Sequence, residues 1–137
     1  MKKFIILIIF ILFLSLFGCA VSDQILAKKM IGKYSNNENY VTLIGEVVTF
    51  NGNSVVIKCK ELIDYISYQG ECCDYLIFSD EFIELKVGEQ IEFSTVPFHF
   101  YNGHRLPIVE VKKGKKTLLS FEDGKENLIN WVNANFK

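Results

Sequence analysis

Asn51-Gly52-Asn53 stands between two runs of β-branched and aromatic residues, and this arrangement constrains the fold more than any other feature of the chain. Before it lies Tyr40-Val41-Thr42-Leu43-Ile44-Gly45-Glu46-Val47-Val48-Thr49-Phe50. After it lies Ser54-Val55-Val56-Ile57-Lys58-Cys59-Lys60. Such residues suit a pleated, half-buried surface. An Asn-Gly turn between them reads as a hairpin. Gly45 falls inside the first strand, where glycine commonly marks a bulge or bend. A long bent strand can serve two sheet surfaces, which is how a small barrel closes.

Further strands follow at short intervals. Asp74 to Phe78 reads as a third strand. Ser79 to Leu85 is a connection, either another strand or one helical turn begun by Ser79. Val87-Gly88-Glu89-Gln90 turns the chain into Ile91-Glu92-Phe93-Ser94-Thr95-Val96. Asn102-Gly103 is a second turn, before Leu106 to Val111, and Lys113-Gly114-Lys115 a third, before Thr117 to Phe121. Pro107 has no amide to donate, so its end of the strand is expected at an edge. Glu61 to Cys73 is mixed, with Leu62, Ile63, Tyr65 and Ile66 suited to a short helical turn. The alternating strands predict a mainly β domain flanked by helices.

Two segments have helical rather than alternating periodicity. In Ser22 to Lys33, Ile25, Leu26, Met30 and Ile31 share one side, with Ser22 or Asp23 as cap. Lys28, Lys29 and Lys33 occupy the rest, where they face solvent or anionic headgroups. At the other end, Glu122, Asp123 and Glu126 suit a helix N-terminus. Leu128, Ile129, Trp131, Val132 and Phe136 form its apolar side, with Trp131 read as a core anchor.

The order of these elements resembles an OB-fold over about residues 40 to 121. The bent first strand with Gly45, the Asn51-Gly52 hairpin and Val87-Gly88-Glu89-Gln90-Ile91 leading into the fourth strand carry the resemblance. It implies a small five-stranded barrel with a short N-terminal helix and a C-terminal helix. The connection after the third strand is too short for the helix usual at that place. Such barrels often bind oligonucleotides or oligosaccharides on an exposed sheet face.

The chain begins Met1-Lys2-Lys3 and then runs without a polar side chain from Phe4 to Leu14. A charged start followed by an apolar run is the pattern of an export signal. Leu16-Phe17-Gly18-Cys19 resembles the lipobox of bacterial lipoproteins. That resemblance implies cleavage between Gly18 and Cys19 and lipidation of the Cys19 thiol. Two acyl chains would hold the product at the extracytoplasmic face of the cell membrane, where one would not. The alternatives are an uncleaved membrane helix over Phe4 to Val21, or ordinary cleavage and release. The expected division is a signal peptide over 1–18, a lipidated Cys19 with helix and linker over 19–39, and a barrel domain over 40–137. Without Lys2 and Lys3 the basic residues fall from 15 to 13 against 16 acids, and the formal charge moves from −1 to −3. That balance gives no electrostatic grip on nucleic acid.

With Cys19 lipidated, Cys59, Cys72 and Cys73 remain. A bridge from Cys59 to Cys72 or Cys73 would close a short loop and contribute about 3 kcal/mol in the entropic treatment. Small buried thiols are the plainer assignment. The candidate binding stretch is Phe98 to Arg105, with Phe100, Tyr101, His104 and Arg105 suited to a sugar or peptide at a hairpin tip. In the plainer assignment Phe98 and Phe100 face the core and Tyr101 covers the turn. No nucleophile elbow, zinc-protease motif, phosphate loop or Cys-x-x-Cys is present. The expectation is a non-enzymatic binding or interaction module of the envelope, with an envelope protein or a polysaccharide as partner, and no cofactor or metal. The alternatives are a thiol- or metal-dependent enzyme using Cys59, Cys72, Cys73 and the histidines, and a purely structural lipoprotein.

Overall fold

A computed structural model describes residues 24–59, 72–96 and 105–136. Helix α1 covers residues 24–35, and a single 3-10 turn follows at Asn37–Asn39. Six strands are then described: β1 Val41–Asn51, β2 Ser54–Cys59, β3 Cys72–Ile77, β4 Gln90–Thr95, β5 Leu106–Lys113 and β6 Lys116–Leu119. Helix α2, Phe121–Asn135, ends the described chain. The expected cap of α1 at Ser22 or Asp23 and the helical turn at Leu62 to Ile66 lie outside the described residues.

The strands close into the small OB-like barrel expected from the sequence. β1 pairs antiparallel with β2 and β4, β2 with β3, and β4 with β5. Parallel pairing of β3 with β5, from Tyr75–Leu106 to Ile77–Ile108, completes the ring. β6 extends β5 as an additional strand. The closure follows from the length of β1. Its first half, from Val41 to Glu46, pairs with β4, and its second, from Gly45 to Asn51, with β2.

Gly45 lies where these two pairings overlap. It is buried, opposite Cys59 on one side and Ile91 on the other. A Cβ there would stand 2.4 Å from Ile57 Cγ2 and 3.0 Å from Cys59 Sγ. Close approach of side chains, rather than a bulge, therefore calls for glycine. The bulge comes later, where the register shifts between Val47 and Thr49.

Alternation places Leu43, Val47, Val55, Ile57, Tyr75, Ile77, Ile91 and Phe93 inside the barrel. The Tyr75 and Phe93 rings meet edge to face at 5.1 Å, a favoured aromatic geometry. The connection after β3 forms no helix. Residues 79–85 form neither the strand nor the helical turn expected; Ile83 and Leu85 enter the core from an irregular segment, while Phe82 and Val87 stay exposed.

The first four residues of β5, Leu106 to Val109, are apolar and buried on both faces of the strand. Leu106, Ile108 and Val111 face the barrel core. Val109 faces outward into a second core with Ala27, Met30 and Tyr34 of α1, Leu128 and Val132 of α2, Phe78 and Val96. Pro107 is thus not at a sheet edge. It is buried and pairs with Leu76, and its carbonyl accepts from Thr95 Oγ1 at 2.6 Å. It is tolerated as the second residue of β5, beside the irregular β4–β5 register at Ser94 and Thr95. α1 packs with most of the expected side, Leu26, Met30 and Ile31 all lying against the second core, but the face is centred on Ala27 and Tyr34 and leaves Ile25 out. Ala27, Met30 and Tyr34 are buried and Ile25 is exposed.

Candidate functional site

α2 begins at Ser120, whose side chain accepts from the Asp123 amide at 3.3 Å as an N-cap. Glu122 and Asp123 occupy the first turn, as the sequence implied. Gly124 is buried against β5, where a Cβ would stand 1.9 Å from the Val109 carbonyl oxygen. Leu128 and Val132 continue the buried face. Helical spacing then sets Asn127, Asn130 and Trp131 along the border of that face, above the end of β3.

These three side chains form one wall of a groove. The opposite side is built by Leu76, Ile77 and Phe78 at the end of β3, by Ser79 and Asp80, and by Asn53 in the β1–β2 turn. The volume is about 440 Å³, within the usual range for a ligand site. A second recess of about 360 Å³ adjoins it and shares Ser79, Asp80, Asn127 and Asn130. Glu81, Asp123 and Glu126 line that extension.

The walls are held in place by named contacts. Asn53 accepts at its carbonyl from the Ile77 amide at 2.8 Å, so the hairpin turn is fixed to β3. The Phe78 amide donates to the Ile108 carbonyl at 3.0 Å. Asn127 Nδ2 donates to the Phe78 carbonyl at 3.2 Å, joining α2 to the same segment. Ser79 Oγ accepts from the Glu81 amide at 3.2 Å and donates to the Glu81 carbonyl at 2.8 Å. The half-buried Trp131 indole meets Phe78 edge to face at 5.8 Å and Phe136 at 5.8 Å. The indole is therefore held in one orientation at the groove.

The lining chemistry is specific. Three amides supply donors and acceptors, Asp80 supplies acceptors, Ser79 a hydroxyl and Trp131 an apolar ring. No lysine or arginine is among the described residues of either recess. A polyanion meets carboxylates here. An uncharged, hydroxyl-rich ligand meets complementary groups.

The residues singled out in the sequence fall elsewhere. Cys19, Phe100, Tyr101 and His104 lie outside the described residues. Arg105 is described and exposed, immediately before β5. Cys59 and Cys73 point into the barrel and Cys72 points out, and none is joined in a disulfide. Burial pushes the Cys73 thiol up, partly opposed by a hydrogen bond with Tyr75. Burial likewise pushes up the Tyr75 phenol. Its hydroxyl meets the Cys59 and Cys73 thiols and no oxygen or nitrogen partner among the described residues. These groups form a neutral cluster inside the core, the opposite of the electropositive setting that activates a thiol. Among the described residues, no three histidine, cysteine, aspartate or glutamate side chains are placed to hold a metal ion. No helix of the described residues is long and apolar enough to cross a membrane.

Sequence reasoning did not find the groove. Trp131 does pack on the core, as expected, but also borders the recess. The available signal was Asn127, Asn130 and Trp131 at helical spacing, with amides beside the single tryptophan. Comparison of the chain with family models, with curated proteins and with solved structures finds no match.

Proposed function

We propose that this chain is a lipid-anchored envelope protein whose barrel is a non-enzymatic binding module for an uncharged oligosaccharide. The observation that carries the ligand class is the meeting of Asn53, Asp80, Asn127, Asn130 and Trp131 in one groove. Sugars present ordered hydroxyls, which amides and carboxylates match, and apolar C–H faces, which an aromatic ring covers. A few placed polar groups around an apolar surface is the usual composition of a small-ligand site. The location supports the same reading. Asn53 belongs to the β1–β2 turn and Leu76 to β3, and OB-like barrels take oligosaccharides beside that turn and strand. The lipobox-like Leu16-Phe17-Gly18-Cys19 supplies the anchoring part of the proposal.

Trp131 provides its own assay, because it is the only tryptophan of the chain. Titration of the purified protein with neutral envelope oligosaccharides is expected to change its fluorescence with saturation. Asp80→Asn combined with Asn130→Ala is expected to weaken binding by about tenfold, since each lost hydrogen bond to the ligand costs about 1 kcal/mol. Unchanged fluorescence across a panel of such oligosaccharides, with calorimetry also silent, overturns the ligand class.

A further inference from the structure

α1 has a buried face, a half-buried border at Leu26 and Ile31, and an exposed face. Ala27, Met30 and Tyr34 are buried in the second core. Ile25, Lys28, Lys29 and Lys33 are all exposed on the remaining surface. Ile25 keeps half its surface in solvent at 51 % exposure. It precedes Lys28 by three positions and Lys29 by four, so one apolar side chain lies on a strip with two cations. Residues 24–35 contain three lysines and no acid, in a chain whose acids outnumber its bases. An apolar side chain beside cations of a single sign is the composition of a helix face that meets an anionic lipid surface.

We infer that this face of α1 seats on the anionic lipid surface to which Cys19 tethers the chain. The inference rests on the anchoring proposal. Gln24 follows Cys19 by five residues, a reach of at most ~17 Å even when fully extended. The tether therefore keeps α1 close to the headgroups at a high effective concentration. Lysines act on an anionic surface only within about a Debye length, roughly 8 Å at physiological salt, so proximity is the deciding condition. Ile25 sits at the headgroup boundary, with Lys28 and Lys29 beside it on lipid phosphates. Lys33 extends the cationic strip one turn further. The result is an oriented barrel rather than one swinging on a flexible leash.

The test uses the full chain expressed in a bacterium and purified from its membranes. Ile25→Cys in a Cys72→Ser background carries an environment-sensitive fluorophore, since Cys72 is the exposed thiol among the described residues. The protein is reconstituted in phosphatidylcholine vesicles with or without phosphatidylglycerol, and brominated lipids serve as quenchers. Seating predicts a blue-shifted emission and roughly twofold greater quenching when phosphatidylglycerol is present. It also predicts loss of that difference in Lys28→Glu/Lys29→Glu/Lys33→Glu. Equal quenching in both lipids, with the protein still floating with the vesicles, overturns the seating and leaves the anchor standing. Protein that fails to float, together with fatty-acid label that persists in Cys19→Ala cells, overturns the anchor and the seating together.

Discussion

At position 124 a single methyl group decides how closely α2 lies on the barrel. Two effects oppose each other there. Replacing a helical glycine with alanine gains about 1 kcal/mol of intrinsic helix stability. The new Cβ, however, would stand 1.9 Å from the Val109 carbonyl oxygen and 2.5 Å from the carbonyl carbon. Those are backbone atoms of β5, which cannot rotate aside, so α2 must lift. Overpacking of this kind costs about 1–3 kcal/mol or more, and the steric effect wins. Gly124→Ala is thus expected to lower stability by about 2 kcal/mol in urea denaturation, seen as a shifted midpoint with unchanged slope. Gly32 is the control. It lies in α1, where an added Cβ would meet nothing within 4 Å, so Gly32→Ala is expected to gain up to about 1 kcal/mol. Shifts of the same sign at both sites would show that the contact with β5 does not limit the packing of α2.

At the scale of elements, the junction between α1 and β1 is held by two phenols. Tyr34 is buried at the end of α1, and burial pushes its phenol up to about 12. Burial, and then the neighbouring Tyr34, raises the Tyr40 phenol well above its ordinary value. The Tyr40 hydroxyl donates to the Tyr34 carbonyl at 2.6 Å, and its ring meets Phe121 of α2 edge to face at 4.9 Å. The unfolded chain releases these protons near pH 10, whereas the folded chain retains them. Their stabilisation is thus complete below about pH 10 and is lost as pH rises toward the folded values. The urea midpoint is expected to fall between about pH 10 and 12, and Tyr34→Phe/Tyr40→Phe to lessen that fall, the buried Tyr75 phenol accounting for part of what remains. An equally steep decline in the double variant would place the sensitivity elsewhere. The elements themselves were legible to different degrees. β1, β2, β4 and α2 were readable because alternation or helical spacing is a local property of the sequence. The seat of α1 was less so: Ile25 looked like part of its apolar side, but the second core takes Ala27 and Tyr34 instead. Pro107 misled because its position depends on β3, which is remote in sequence. The groove was illegible for the same reason. Asn53, Asp80 and Asn130 meet only after closure, and taken singly each has the composition of ordinary surface.

At the scale of the molecule, β5 belongs to both cores. Ile108 faces the barrel interior and Val109 the helical layer, so neither layer can separate without exposing a face of the same strand. The ring closes through β3–β5, and that pairing also carries Phe78 into the helical layer, where its amide donates to the Ile108 carbonyl. Such shared burial predicts one cooperative transition rather than a helical layer that peels away first. Two probes report on the two layers. Trp131 packs against the second core, so its fluorescence follows α2, while far-ultraviolet circular dichroism in the strand region follows the barrel. Their urea transitions are expected to coincide. Leu128→Ala sharpens the test, because Leu128 is fully buried in the helical layer and its truncation costs about 2–5 kcal/mol. If β5 couples the layers, both midpoints fall together in that variant. A fluorescence midpoint that falls while the strand signal holds would show that the barrel stands without its helices, and that the groove between them opens on its own.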